Sequence, residues 1–190
     1  MKKSIYIFAL NLIFIFVSLT TYAQATYQLT DESKMVIKGT SSLHDWESDV
    51  TELQGRAQVS VQDQQPQFQN FTLTVPVKSI KSGKNAMDKN TYEAMEEDQH
   101  PTIQFNLNDI QRISDGKITA TGKLTIAGQT KPVTLHADYQ LQAQDQLNLQ
   151  GSYSFRMTEY GIAPPTAVFG TIKTGDEITI DYHLTLQKSK

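Results

Sequence analysis

The stretch KITATGKLTIAGQTKPVTLHADYQL, residues 117–141, decides the fold class of this chain. Apolar or small residues alternate with polar ones in two runs, and Ala127-Gly128-Gln129 separates the runs. A period of two is typical of a strand with one dry and one wet face, and a short turn between two such runs predicts an antiparallel hairpin. The dry positions are Ile118, Ala120, Gly122, Leu124 and Ile126, then Val133, Leu135, Ala137, Tyr139 and Leu141.

The same alternation recurs in five other stretches, and residues 27–38 form an eighth, less regular one. Val36, Phe68 and Ile110 fall out of phase, which β-bulges would explain. Eight strands with mostly short joins predict an all-β fold, an antiparallel up-and-down barrel whose closure leaves no exposed edge. A two-sheet sandwich remains the structural alternative. The further dry positions are Leu53, Gly55, Ala57, Val59, Val61, Phe71, Leu73, Val75, Val77, Ile103, Phe105, Leu107, Leu147, Leu149, Gly151, Tyr153, Phe155, Ile178, Ile180, Tyr182, Leu184 and Leu186.

Three longer connections interrupt the strands, at residues 40–52, 78–101 and 158–174. Long loops on a rigid sheet are where binding usually lies. The second connection contains MDKNTYEAMEE, residues 87–97, which predicts one short helix capped by Asn85 or Asp88. Such a short helix is not stable alone in water, so we expect it to dock across one mouth of the barrel. The side facing the barrel would carry Met87, Thr91, Ala94 and Met95.

The first 23 residues read as a secretory signal, with Lys2 and Lys3, an apolar run and a cleavage site after Ala23. An uncleaved anchor is the alternative, although the run is shorter than the roughly 20 residues that span a bilayer. Cleavage leaves one β-barrel domain, residues 24–190, which does not span the membrane.

The chain has no cysteine, which excludes disulfides, thiolate metal sites and an N-terminal lipid anchor. We therefore expect a periplasmic or secreted protein.

Beyond the signal, 15 basic and 20 acidic residues remain, a formal charge of −5. An acidic chain is a poor nucleic-acid binder and gains little from an anionic membrane surface. The four histidines show no metal-ligand spacing. We therefore expect no nucleic-acid partner, no metal and no cofactor.

The stretch GTSSLHDWE, residues 39–47, carries hydroxyls, an imidazole, carboxylates and the single tryptophan of the chain. Adjacent residues rarely point at one another, whereas catalytic triads are assembled from distant segments. Serine and aspartate bond to local backbone groups in turns, and tryptophan can cap an apolar interior. We interpret the stretch as a strand end and corner, with Trp46 packing inward, and predict that the protein is not an enzyme.

Six segments occur in one order along almost the whole chain beyond residue 23: GTSSLHDWE (39–47), VPVKSIKSGKNAMDKNTYEAM (75–95), HPTIQFNL (100–107), GKLTIAGQTKPVTL (122–135), EYGI (159–162) and DEITIDYHLTL (176–186). Together these segments resemble the YceI-like family. That resemblance implies an antiparallel, lipocalin-like barrel, exported to the periplasm, whose interior in some members holds a polyisoprenoid such as a quinone-type lipid. The family offers no catalytic residues to carry over.

The expected function is to bind a long apolar lipid inside the barrel, as a carrier or a sink. Three alternatives stay open: an outer-membrane barrel with its dry face toward lipid, a lipid-acting enzyme using His44, Asp45 and Glu47, and a structural or envelope-stress domain without ligand. A homodimer is also left open. The residues expected to line the apolar interior and mouth are Trp46, Phe71, Leu73, Val75, Met87, Met95, Phe105, Leu107, Leu124, Leu135, Tyr139, Tyr153, Phe155 and Phe169.

Overall fold

Backbone pairing closes the chain into an antiparallel barrel. The computed structural model describes residues 24–189, and the predicted signal segment, residues 1–23, lies outside the described residues. One α-helix, α1 (Asn85–Ala94), accompanies the strands, with short 3-10 turns at Val77–Ser79, Ala143–Asp145 and Met157–Tyr160. The strands are β1 (Ala25–Leu29), β2 (Lys34–Ser41), β3 (Trp46–Val50), β4 (Gln54–Gln62), β5 (Gln65–Pro76), β6 (Ile80–Lys81), β7 (Thr102–Ser114), β8 (Lys117–Ile126), β9 (Gln129–Gln142), β10 (Gln146–Arg156), β11 (Thr166–Ala167) and β12 (Ile172–Lys188).

Three of the eight barrel strands are interrupted, so that β1 and β2, β3 and β4, and β5 and β6 each form one barrel strand in two pieces. The long strand β12 pairs with β2 through its middle and with β1 through its end. The pairing order runs β1/β2, β3/β4, β5/β6, β7, β8, β9, β10 and β12, which returns to β1/β2. This order confirms the predicted eight-stranded up-and-down barrel and rules out the sandwich.

The hairpin formed by β8 and β9 is regular over its whole length, from Lys117 opposite Asp138 to Ile126 opposite Gln129. Its turn places Ala127 at φ 46° and Gly128 at φ 72°, which is the left-handed pair that a two-residue type I′ turn requires. A Cβ at Gly128 would lie 2.7 Å from Nε2 of His100, so glycine also leaves room for that ring. The turn residues and the alternation therefore set the same register.

Bulges account for two of the three residues that broke the alternation. In β5 the register shifts so that Gln58 faces Asn70 and Val59 faces Phe68, which leaves one extra residue in β5. In β7 the register shifts twice, on either side of Ile110. Each extra residue reverses the phase of the strand, and both Phe68 and Ile110 point into the barrel.

The apolar faces of the strands point inward, and the polar faces point outward. Along β8, buried and more exposed positions alternate from Lys117 to Ile126. This is the reverse of an outer-membrane barrel, whose apolar face points outward to lipid.

The end of the barrel away from α1 is filled by side chains that are at most 3% exposed. Those side chains are Tyr27, Ala57, Val59, Leu147 and Leu186. Within residues 24–189, no helix is both long and apolar enough to cross a membrane.

The helix is shorter and differently capped than the sequence predicted. It ends at Ala94 rather than at residue 97, because Glu96 adopts φ 51° and its N–H bonds to the Glu93 carbonyl in a Schellman-type end. Neither Asn85 nor Asp88 caps its start; the N-cap is Lys84, without a side-chain bond.

The Asp88 carboxylate instead accepts hydrogen bonds from the N–H (2.8 Å) and hydroxyl (2.6 Å) of Ser82. Burial opposes its ionisation, but these bonds and nearby Lys81 hold the pKa of Asp88 below its usual value.

Candidate functional site

The barrel encloses two apolar cavities along its axis. The inner cavity, about 110 Å³, lies in the middle of the barrel, and no charged residue lines it. The mouth cavity, about 380 Å³, lies at the end covered by α1 and is within the size range of small-molecule sites. Ile180 lines both cavities, so they meet at this side chain.

Strand periodicity explains how the two cavities follow one another. Inward-facing positions two residues apart on one strand lie about 7 Å apart along it, so a step of two residues leads from one cavity to the next. On β7, for example, Phe105 lines the inner cavity and Ile103 lines the mouth cavity. The same step occurs from Met35 to Ile37, from Leu124 to Ile126 and from Tyr153 to Phe155.

Helix α1 covers the mouth cavity with the side predicted from the sequence. Met87, Thr91, Ala94 and Met95 all line the cavity, together with Asn90. The adjacent Tyr92 fastens the helix to the barrel. Its hydroxyl lies 3.1 Å and 3.0 Å from the carbonyl oxygens of Lys78 and Ile80 and accepts a 2.7 Å hydrogen bond from Nζ of Lys81. The helix is thus held over the opening by the bonds of Tyr92 to the segment from Lys78 to Lys81.

The wall of the mouth cavity includes the polar side chains of Ser48 and Asn90. Ser48, on β3 opposite Ile37, is 3% exposed and lines the cavity. Its hydroxyl has no hydrogen-bond partner among residues 24–189, and the same holds there for the side-chain amide of Asn90. A polar group that faces a cavity can bond to a guest or to water there. The mouth cavity therefore offers hydrogen bonds beside a large apolar wall.

The GTSSLHDWE stretch forms the predicted corner. The hydroxyl of Ser41 donates to the carbonyl of His44 (2.7 Å) and accepts from the N–H groups of Leu43 and His44. The indole N–H of Trp46 donates to the carbonyl of Thr40 (3.0 Å), while its ring lines the mouth cavity. The hydroxyl of Ser41 is thus used by the backbone of its own turn, and Trp46 packs inward as predicted.

Glycines on the dry face hold aromatic rings from neighbouring strands. A Cβ at Gly39 would lie within 2.7 Å of the Trp46 ring, and a Cβ at Gly122 would lie 2.5 Å from the Phe105 ring. At Gly151, a Cβ would press on the Tyr182 ring (2.7 Å) and on the backbone carbonyl of His136. These glycines do not themselves create empty space, because each seats a ring that forms the inner wall.

Tyr182 crosses Gly151 to donate a 3.0 Å hydrogen bond to the His136 carbonyl, at the point where β9 and β10 stop pairing. Burial raises the pKa of Tyr182 to about 12, above the ordinary 10 of a phenol. The raised pKa means that the folded protein favours the neutral phenol. The contribution of Tyr182 to the free energy of unfolding is therefore complete below pH 10 and is lost as the pH rises toward 12. Burial, with Tyr153 alongside, also raises the pKa of Tyr160.

Eleven of the fourteen residues expected in the interior and mouth line a cavity. The placement of Phe169 is wrong: it is fully exposed, in the turn after β11. Val75 is buried in the packed core, and Tyr139 packs against the core; neither lines a cavity. The residues lining the inner cavity are Phe71, Leu73, Phe105, Leu107, Leu124, Leu135 and Tyr153, and those lining the mouth cavity are Trp46, Met87, Met95 and Phe155.

Sequence reasoning missed the contribution of the third connection. Around β11, small and apolar side chains close one side of the mouth cavity. They are Ile162, Pro165, Thr166, Ala167 and Ile172. The alternation gave no signal for them, because they lie in turns and in a two-residue strand. Ser48 was missed for another reason: a serine on the apolar face of a strand looks like a break in the alternation.

Within residues 24–189, no three His, Cys, Asp or Glu residues form a group that could hold a metal ion.

This chain therefore has a lipocalin-like fold: a closed up-and-down barrel with an apolar interior and a helix over one mouth. The YceI-like domain matches residues 27–186, and the chain belongs to the YceI-like family. This confirms the resemblance drawn from the sequence segments. No curated protein sequence matches the chain.

Solved structures share the fold. BcnA from Burkholderia cenocepacia has a TM-score of 0.67 at 18% identity, over 80% of this chain and 95% of its own. A polyisoprenoid binding domain from Saccharophagus degradans, implicated in plant cell wall breakdown, has a TM-score of 0.67 at 10% identity, over 87% and 99%. A Campylobacter jejuni YCEI protein has a TM-score of 0.60 at 16% identity, over 75% and 84%. At such low identity these likenesses show the fold alone.

Proposed function

We propose that this protein binds a long apolar lipid, of the polyisoprenoid or quinone type, inside its barrel and acts as a carrier or sink in the periplasm or outside the cell. One observation carries the proposal: two apolar cavities meet at Ile180 and follow one another from the mouth toward the centre. A purely structural domain would have no need of this space. The Saccharophagus degradans structure supports the lipid class, because that domain is described as polyisoprenoid binding.

The guest enters with its chain toward the inner cavity and its polar end in the mouth. An uncharged inner wall favours hydrocarbon, since each buried methylene contributes about 0.8 kcal/mol. The mouth supplies the unpartnered Ser48 hydroxyl and Asn90 amide, which donate to an oxygen of a quinone or of an isoprenoid alcohol. The lipid is not chemically changed, and the side chains of GTSSLHDWE keep their structural roles.

Chain length is the first test. We expect residues 24–190 to form a 1:1 complex with isoprenoid quinones in native mass spectrometry. Affinity should rise at least about tenfold with each added isoprene unit until both cavities are filled, and then level off. The control is a series of soluble quinones without an isoprenoid tail, which should bind weakly. A protein that takes up no isoprenoid of any length, or binds all lengths equally, would contradict the proposal.

Ser48 tests the orientation of the guest. Ser48→Ala should weaken binding of an isoprenoid quinone about fivefold, the cost of one neutral hydrogen bond. Binding of a pure isoprenoid hydrocarbon of the same length should not change, because it has no oxygen to accept that bond. The variant should fold normally, since the lost hydroxyl has no partner within the described chain. Equal losses for quinone and hydrocarbon would show that the polar end lies elsewhere.

A further inference from the structure

The rim of the mouth exposes most of the large apolar side chains that face solvent. Four large apolar side chains are exposed among the described residues, and three of them, Leu43, Val168 and Phe169, lie at this rim. Val168 is 62% exposed, Leu43 is 67% exposed and Phe169 is fully exposed. The fourth, Val61, lies at the opposite end of the barrel, at the hairpin between β4 and β5.

Hydrogen bonds hold the two parts of the rim side by side. The N–H of Ser42 donates to the carbonyl of Lys173 (2.9 Å), and the N–H of Lys173 donates to the Ser42 hydroxyl (3.1 Å). Lys173 also pairs with Thr166 at the base of the β11–β12 hairpin. The Leu43 turn and the hairpin tip at Val168 and Phe169 therefore form one protruding surface, which we call the apolar rim.

The hairpin tip goes against local backbone preference. Val168, Phe169 and Gly170 adopt φ 50°, 52° and 83°, three successive left-handed residues in the four-residue loop between Ala167 and Ile172, a conformation that favours Gly and Asn. A β-branched residue with positive φ is a genuine outlier. Such a conflict, with both side chains left in water, is expected where function rather than folding selects the residues.

Charge and position indicate what covers the rim. No charged residue occurs between Gly161 and Ile172, a stretch that includes the whole tip. Lys84 and Lys173 flank the rim, are exposed and make no ion pair among residues 24–189. Three nearby acidic groups, Asp45, Glu47 and Glu177, line a groove that shares Trp46 with the mouth cavity. The chain as a whole is acidic, so the match is a local one: an uncharged apolar tip with lysines beside it fits a phospholipid surface, where apolar side chains enter the acyl region and lysines reach the phosphates.

The rim is also continuous with the mouth cavity. Leu43 lines the cavity while being exposed, and Thr166 and Ala167, at the base of the tip, line it too. We propose that the apolar rim formed by Leu43, Val168 and Phe169 docks the open mouth onto a phospholipid bilayer. An apolar guest then passes between bilayer and cavity without crossing water. Docking itself needs no isoprenoid guest, so it goes beyond the proposed function and is tested separately from lipid uptake.

Vesicle co-sedimentation with residues 24–190 is the test, because the barrel closes within this segment and the apolar residues 1–23 would bind vesicles by themselves. The vesicles contain phosphatidylcholine and phosphatidylglycerol but no isoprenoid. We expect the double variant Val168→Asn/Phe169→Gly to bind at least about tenfold more weakly. Its melting temperature should be unchanged or higher, because Asn and Gly tolerate the left-handed conformation of these two positions better than Val and Phe do. Vesicles of phosphatidylcholine alone should bind less than the anionic mixture.

Val61→Asn is the matched control, since it removes an exposed apolar side chain at the far end of the barrel and should leave vesicle binding unchanged. The proposal is overturned if the unmodified protein does not sediment with vesicles, or if the tip variant binds as well as the unmodified protein. It is equally overturned if Val61→Asn loses as much binding as the tip variant. A dimer in sedimentation velocity that the tip variant converts to monomer, with vesicle binding unchanged, would assign the rim to a second copy of the chain instead.

Discussion

Replacing Gly151 with alanine is expected to lower the free energy of unfolding by about 2–4 kcal/mol, a large loss for one added methyl group. The methyl carbon would overlap the backbone carbonyl oxygen of His136 and the hydroxyl of Tyr182. The backbone cannot yield without shifting β9, and the Tyr182 ring cannot yield without losing its hydrogen bond to His136. Urea denaturation should show the loss as a lower midpoint with an unchanged slope.

Gly175→Ala provides the matched control for this prediction. Gly175 lies in β12, and its added Cβ would approach the side-chain hydroxyl of Thr40 closely but every other atom at 3.6 Å or more. A change of the Thr40 χ1 rotamer moves this oxygen away without shifting the backbone, so the change should cost only about 1 kcal/mol. If both alanine variants were equally stable, the close packing of Tyr182 against Gly151 would not contribute to the stability of the barrel.

Much of the fold could be predicted because alternation and turn residues agree. In the β8–β9 hairpin, the dry residues and the Ala127-Gly128 turn independently require the same register, so a shifted pairing would expose the whole dry face. The breaks in the first three barrel strands could not be predicted in this way. The break between β1 and β2, for instance, depends on Thr30 bonding to the backbone of Thr185, which lies far away in the sequence.

The candidate site was predictable only where it follows the strands. Phe105 and Phe155 line the cavities because the parity of a strand decides which way its side chains point. Phe169 was expected in the interior or mouth because of its hydrophobicity alone, whereas it lies in a turn with its side chain fully exposed. The role of the glycines was also hidden in the sequence, since a glycine that seats a ring and one that opens a cavity look alike.

Replacing Ala94 with phenylalanine is expected to reduce affinity for an isoprenoid quinone about a hundredfold. Ala94 lies on the inner side of α1 and lines the mouth cavity, so the added ring occupies the space through which the guest must pass. Loss of three to four buried methylenes, at about 0.8 kcal/mol each, accounts for a hundredfold change. Trp46 lines the same cavity and is the single tryptophan of the chain, so its fluorescence reports on occupancy directly.

Glu93→Phe is the control for Ala94→Phe, since it places the same ring one residue earlier on an exposed position of the same helix. The cost is small, because the Glu93 side chain is 64% exposed and its 3.5 Å ion pair with Lys89 is a surface pair. Affinity should then remain close to that of the unmodified protein. Unchanged affinity in both variants would mean that the guest does not lie beneath α1.

Stability and affinity should change in opposite directions in Ala94→Phe. The ring enters a cavity that is already present, so it buries apolar surface and should raise the melting temperature of the empty barrel, or leave it unchanged. The same ring excludes the guest. A variant that was merely misfolded would lose stability and affinity together, so weaker binding with an equal or higher melting temperature is the result expected when the guest competes with the ring for the space beneath the helix.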